Sequence, residues 1–134
     1  MEKSLQPGLK GTAEAEVVAP LTAISMKSGD VEVYATPAMI ALMEEAAVAC
    51  VRDHLPEGQT SVGTYIEVHH RAATPPGMKV KAEAILEAVD GRKLTFKVTA
   101  HDELDLIGEG RHERVIVPRD KFMEKVKTKG QKDR

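Results

Sequence analysis

Aromatic side chains are scarce in this chain, with two Phe, two Tyr and no Trp among 134 residues. The core must be built from Val, Ile, Leu, Met and Ala, and the stacking platforms on which single-strand binders lay bases are missing. Cysteine is scarcer still. Cys50 stands alone, forms no internal bridge, and sits inside an apolar run, which suits a reducing compartment and marks it as core filler rather than nucleophile. Charge of one sign is lacking too. A formal net charge of -2 offers no electrostatic reason to expect nucleic acid or an anionic membrane as main partner. No apolar stretch is long enough to span a bilayer, and the opening "MEKSLQPGLKGTAEAE" holds no apolar run of the signal-peptide kind, so the cytoplasm is the expected compartment. Internal repeats and low-complexity segments are absent as well.

What is present suits one domain over residues 1–134, with a core from about 11 to 118 and a basic tail over 119–134. In "GTAEAEVVAP", Ala13, Ala15 and Val17 alternate with Thr12, Glu14 and Glu16, the period of a half-buried strand ending at Pro20. "LTAISMKSGDVEVYA" has no sustained period and reads as an irregular connection or lid. Thr36 before Pro37 reads as a hydroxyl N-cap, and "TPAMIALMEEAAVACV" as a helix running to about His54 or Leu55, where "LPEG" stops it. Four strand-like runs follow, two of them joined at "DGRK", where Asp-Gly supplies the positive φ of a hairpin. The tail after Pro118 reads as solvated, with Phe122 and Val126 one turn apart should it be helical. One long apolar helix followed by consecutive antiparallel strands predicts an α+β fold, a sheet curled around a central helix.

Side-chain phase sorts the polar residues. On the second strand, strict alternation puts Val62, Thr64, Ile66, Val68 and His70 on one face, and Tyr65, Glu67, His69 and Arg71 on the other. On the helix, Glu44 lies one turn from Ile40 and nearly one from Ala47, the more apolar side, whereas Glu45 aligns with Ala41, Ala49 and Arg52. A buried carboxylate must be paired, neutralised or at work. Two readings of Glu44 and His70 stand open, a buried ion pair and an acid–base couple whose burial tunes it toward neutral pH. On the last strand Gly108 and Gly110 share a phase with His112 and Arg114, leaving a bare strip that admits another backbone or a slender ligand. Arg114 reads either as a ligand contact or as the ion-pair partner of Glu113 or another carboxylate, and His112 as structural. The turn "ATPPG" reads as a strand connection stiffened by Pro75 and Pro76.

Taken together, "TPAMIALMEEAAVACV", "GTYIEVHHRAATPPG" and "GRKLTFKVTAHDELDLIGEGRHERVIV" resemble the fluoroacetyl-CoA thioesterase family of hot-dog-fold enzymes, over about Gly11 to Lys125. That resemblance implies hydrolysis of an acyl-CoA thioester to free acid and coenzyme A. It maps a catalytic threonine, glutamate and histidine onto Thr36, Glu44 and His70, and substrate contacts onto Gly63 and Arg114. It implies neither metal nor redox cofactor, and it implies a homodimer with sites at or near the subunit interface. A domain this small would also leave edge strands open unless it paired.

The residue types suit the chemistry. A thioester carbonyl needs a group to attack it or to activate water, a donor for the oxyanion, and a handler of protons as the thiolate leaves. Glu44 fits either of the first roles, Gly63 N–H the second, and His70 the third. Thr36 is in tension with this set, since about 12 Å of helix rise separates it from Glu44 unless the helix starts later or two subunits share the site. The alternative function is a non-catalytic hot-dog domain that binds an acyl or CoA-like ligand or serves in assembly. One departure concerns selectivity. Family members that prefer a fluorinated acetyl group close the pocket with lid aromatics, whereas "AISMKSGDVEVYA" contains only Tyr34.

Overall fold

The computed structural model describes residues 4–131. Strand β1 (Lys10–Glu16) leads through a short helix α1 (Ala23–Met26) to the long helix α2 (Thr36–Val51), which a 3-10 turn extends to His54. Strands β2 (Gln59–His70), β3 (Lys79–Asp90), β4 (Lys93–His101) and β5 (Leu106–Pro118) follow, and helix α3 (Arg119–Gln131) closes the described chain. All strand pairs are antiparallel and form one five-stranded sheet in the order β1-β3-β4-β5-β2. The sheet curls around α2, as the order of strand, helix and four strands predicts.

The period of two decides what β3 and β4 bury. Val80, Ala82, Ala84 and Leu86 point inward from β3, and Leu94, Phe96, Val98 and Ala100 from β4. From α2 they meet Ala38, Met39, Leu42, Met43, Ala46, Ala47, Cys50 and Val51, so the core is aliphatic and Cys50 is part of it. Each large side chain so buried contributes roughly 1.5–3 kcal/mol. Gly11 sets how near the helix comes. A Cβ there would fall 2.3 Å from the Ala46 carbonyl oxygen and 2.4 Å from the Cys50 backbone nitrogen, so only glycine lets β1 lie against α2. At the β3–β4 hairpin, Gly91 adopts φ +61°, the positive value that the "DGRK" turn requires.

Several details differ from the sequence reading. Ala35, not Thr36, occupies the N-cap, and its backbone carbonyl accepts from Met39 N–H; Thr36 is the first helical residue and its hydroxyl is released from capping. The ladder between β2 and β5 shifts between Gly63 and Tyr65, so a bulge at Thr64 breaks the strict alternation. Ser61 and Gly63 therefore share the inner face with Ile66, Val68 and His70, while Val62 and Thr64 drop out of that set. The lid holds more structure than its sequence suggests, with Thr22 capping α1 and bridging to Tyr34. The tail forms helix α3 and buries none of its residues, so solvated side chains and a helical backbone coexist there.

Helix α2 lies mainly over β1 and β3 and touches β2 little. The inner face of the β5–β2 half is left partly open, and the candidate residues gather along it.

Candidate active site

At one end of this open face stands Arg114, 7% exposed. Its Nε donates to Ser61 Oγ at 2.8 Å and its Nη2 to the Ser61 carbonyl at 3.0 Å. Its Nη1 lies 3.2 Å from His112 Nε2 and 3.8 Å from Glu44 Oε2. The ion-pair partner of Arg114 is thus Glu44, across a gap longer than a hydrogen bond; Glu113 is engaged instead by Lys93 at 3.4 Å and Arg111 at 3.5 Å. Glu44 is not buried as its helix phase suggests. Its side chain is 42% exposed, because α2 leaves the β5–β2 half uncovered.

Gly63 lets this carboxylate come close to β2. A Cβ there would sit 2.9 Å from Glu44 Oε2, 3.3 Å from His112 Cε1 and 3.4 Å from Arg114 Nη1. With no side chain there, all three groups pack against the bare backbone of β2. His112, read from sequence as structural, is fully enclosed: Nδ1 donates to the Tyr65 carbonyl at 2.8 Å and the ring stacks on Phe96 at 5.9 Å. Burial lowers its pKa and Arg114 lowers it further, against the opposing pull of the Tyr65 hydrogen bond and of Glu44 and Glu113. Burial also works against the charge of Arg114, which Glu44 supports.

The other end holds Thr36 and His70. Thr36 Oγ1 lies 2.7 Å from His70 Nδ1, so the hydroxyl freed from capping is spent on the imidazole. Among the described residues, His70 Nε2 is the one buried side-chain nitrogen or oxygen without a hydrogen-bond partner. Burial lowers the pKa of this imidazole, so it is held neutral more firmly than a free histidine. A cavity of about 300 Å³ opens beside it, lined by Ala23, Val33, Tyr34, Thr36, His70 and Ala72 among others. The Tyr34 phenol is pushed up to about 12, first by burial and then by the Glu45 charge, so it stays protonated at any working pH.

These two groups do not meet within one chain. Glu44 and His70 form no ion pair, and about 12 Å of helix separates Thr36 from Glu44. The bare strip predicted on β5 is filled from inside the fold: a Cβ at Gly108 would strike Met39, and one at Gly110 would strike the β2 backbone at Glu67 and Val68. Sequence reasoning missed Ser61 because the bulge at Thr64 hides its phase. His112 carried a usable signal, its i, i+2 relation to Arg114 on one strand face. No group of three or more His, Cys, Asp or Glu among the described residues is placed to hold a metal ion, and no helix among them is long and apolar enough to cross a membrane.

Known structures share this architecture over nearly its whole length. The fluoroacetyl-CoA thioesterase FlK superposes with a TM-score of 0.89 at 38% identity, over 95% of this chain and 98% of that one. A Thermus thermophilus member of the thioesterase superfamily gives 0.89 at 34% identity, over 96% of each chain. A hot-dog-like protein from Thermanaerovibrio acidaminovorans gives 0.83 at 27%, over 93% of each. The class is therefore that of the hot-dog-fold thioesterases. Within it, residues 17–120 match the family described as fluoroacetyl-CoA-specific thioesterase. The fluoroacetyl-CoA thioesterase of Streptantibioticus cattleyicolor is 48% identical over 98 residues, covering 73% of this chain and 70% of that protein. The chain belongs to this family of acyl-CoA thioester hydrolases.

Proposed function

We propose that this protein hydrolyses short acyl-CoA thioesters to the free acid and coenzyme A, as a homodimer with its sites at or near the subunit interface. The observation that carries the reading is a half-exposed carboxylate, Glu44, packed on the bare backbone of Gly63 and 3.8 Å from the Arg114 guanidinium without being bonded to it. Glu44 acts on the thioester carbon, either by attacking it or by taking a proton from water. Gly63 N–H and Arg114 serve the substrate oxygen, next to the bulge that leaves Thr64 unpaired in the ladder. His70 handles protons through Nε2. With the Nδ1 proton donated to Thr36 Oγ1, Nε2 is the proton acceptor. Where Glu44 attacks, the glutamyl–acyl anhydride forms as the C–S bond breaks and the thiolate leaves, and Nε2 takes the proton of the water that opens the anhydride. Where Glu44 takes the water proton, the hydroxide bonds the acyl carbon as the thiolate leaves, and Nε2 takes the proton that the product acid releases.

The separation of the two groups supports the dimer. Strand β2 is an outer strand of the sheet, with Tyr65 exposed, and its free edge presents unpaired backbone groups. Gly63 and His70 lie near its middle and its end, roughly 20 Å apart along an extended strand. Antiparallel two-fold pairing of β2 edges sets the Gly63 end of one protomer toward the His70 end of its partner. Thr36 and His70 then complete a site that Glu44, Gly63 and Arg114 begin.

The lid supports weak selectivity. Lys27, Ser28, Gly29 and Asp30 are exposed, and its one aromatic, Tyr34, is packed inside rather than free to swing over the acyl group. A site without a shaped apolar gate discriminates by about 1–3 kcal/mol per group. The ratio of kcat/KM for fluoroacetyl-CoA over acetyl-CoA is expected to be modest, and a ratio in the many thousands would place the gate elsewhere in the chain.

Release of coenzyme A from acetyl-CoA, followed with a thiol reagent, tests the core of the reading. Near-normal rates in both Glu44→Gln and His70→Ala would remove these residues from the mechanism. Single turnover in ¹⁸O-water bears on the two roles of Glu44: label in its carboxylate requires attack, with water opening the anhydride at the glutamyl carbon, whereas water activation labels only the product acid. Sedimentation showing a fully active monomer at micromolar concentration would remove the shared site.

A further inference from the structure

We propose that Ser61 and His112 are positioning residues that hold the Arg114 guanidinium with two N–H groups free, beside the Glu44 carboxylate but not bonded to it. This inference rests on the reading of Glu44 and Arg114 as the substrate-facing pair.

A guanidinium has five N–H donors in a planar fork. Three are accounted for in the structure: Nε to Ser61 Oγ, one on Nη2 to the Ser61 carbonyl, and one on Nη1 to His112 Nε2. One N–H remains on each terminal nitrogen. Left to itself, an arginine beside a carboxylate closes into a two-pronged pair at about 2.7–2.9 Å. Here the Nη1–Oε2 distance is 3.8 Å, and the acceptors that keep it so lie on β2 and β5 rather than on α2. A carboxylate locked by such a pair is a poorer nucleophile or base, and a guanidinium locked by it has fewer donors for a substrate oxygen.

The arrangement demands one protonation state of His112. Its Nδ1 faces the Tyr65 carbonyl and must carry a proton, so Nε2 is an acceptor only while the ring is neutral. The groups around the ring are Arg114 and Glu113 from β5, Glu44 from α2, the Tyr65 carbonyl from β2 and the apolar Phe96 ring from β4. A second proton would turn Nε2–H against the Arg114 Nη1–H and push the fork out of place. Burial in this setting opposes that proton.

The test compares two amide replacements of different reach. His112→Gln carries an acceptor near the Nε2 position, while His112→Asn carries its amide near Nδ1 and falls short of Arg114. With acetyl-CoA, His112→Asn is expected to lose about 100-fold in kcat with little change in KM, the scale of a misplaced catalytic group. His112→Gln is expected to recover most of that loss and to lack one ionisation on the acid side of the pH–rate profile. Ser61→Ala is expected to fall between them. In an Arg114→Gln background, His112→Asn should add little, because its effect runs through the guanidinium. Equal, additive losses in both backgrounds would make His112 a stability residue and overturn the proposal. So would wild-type kinetics in His112→Asn when Arg114→Gln is impaired. Wild-type activity in Arg114→Gln would instead overturn the reading of the site. Independently of turnover, histidine nitrogen spectra near neutral pH should show His112 protonated at Nδ1 alone; a ring protonated at Nε2 sinks the proposal in any case.

Discussion

The two ends of the open face differ in how far one chain completes them. At the Glu44 end, Arg114 and His112 find their partners on β2 and β5 of the same chain, and the carboxylate sits beside a fixed cation. At the Thr36 end, His70 Nδ1 is engaged but Nε2 is buried with no partner, next to a cavity. A buried nitrogen left unbonded costs about 1–3 kcal/mol, so it persists where something else fills the need. The first end holds a carboxylate and a guanidinium, the second an imidazole with one nitrogen unbonded.

The comparison predicts a ranked series of losses. Glu44→Gln removes the charge and keeps the shape, and is expected to lower kcat/KM by about 10³-fold, within the range of positioned acid–base groups. Because the side chain is 42% exposed, its melting temperature should hold. Glu45→Gln, one residue on and exposed, should remain close to wild type; equal losses in the two would deny the Glu44 end its special character.

His70→Ala comes next, at about 10²-fold, again from the lost proton transfer. His69→Ala should be mild because His69 faces solvent on the outer side of β2. If the two histidine variants behave alike, the proton-handling end has been misplaced.

Gly63→Ala is a smaller and more local change. The new methyl meets the movable Glu44 carboxylate at 2.9 Å, so the fold can give while the carboxylate is pushed off its place. A loss of about tenfold in kcat/KM, with an unchanged melting temperature, is expected, less than the roughly 10²-fold of a 1 Å misplacement because the carboxylate gives by only a few tenths of an ångström. An undiminished rate would mean that the position of the Glu44 carboxylate over this glycine does not matter to the reaction.

The smallest effect is on stability in acid. Burial lowers the pKa of both His70 and His112 in the folded protein, so the unfolded chain binds more protons as pH falls below the ordinary histidine value of about 6.5. The stabilising contribution is whole above that pH and is lost as pH drops toward the folded values. Melting curves across this window should shift downward in acid, and less so in His112→Gln. A profile equally steep in that variant would locate the effect in other groups.

Much of this was legible in the sequence because it depends on local pattern. The alternation in β3 and β4 and the Asp-Gly turn lie within a few consecutive residues, and the extent of α2 follows from its apolar run and its stop at "LPEG". His70 also fell on the right face, since Ile66, Val68 and His70 lie beyond the bulge in unbroken register. What failed was phase across a defect. A one-residue bulge at Thr64 reverses the faces of Ser61 to Thr64, and the one signal of it in "TSVGTY" is Gly63, a residue that in a strand marks either a bulge or a close backbone approach.

The sequence by itself determined the elements and the inward and outward faces of β3 and β4, because side-chain direction in a regular strand follows from its repeat. It also placed glutamate, histidine, glycine and arginine on those elements. Tertiary structure alone decided how they are used. The exposure of Glu44 depends on α2 lying over β1 and β3 rather than over β2. The release of the Thr36 hydroxyl depends on Ala35 taking the cap, with His70 arriving from a strand thirty-four residues away. Arg114 is held by Ser61, fifty-three residues distant, through a strand pairing that no local pattern specifies. Contacts of that range are set by packing, which satisfies all the elements at once and leaves no trace in any one of them.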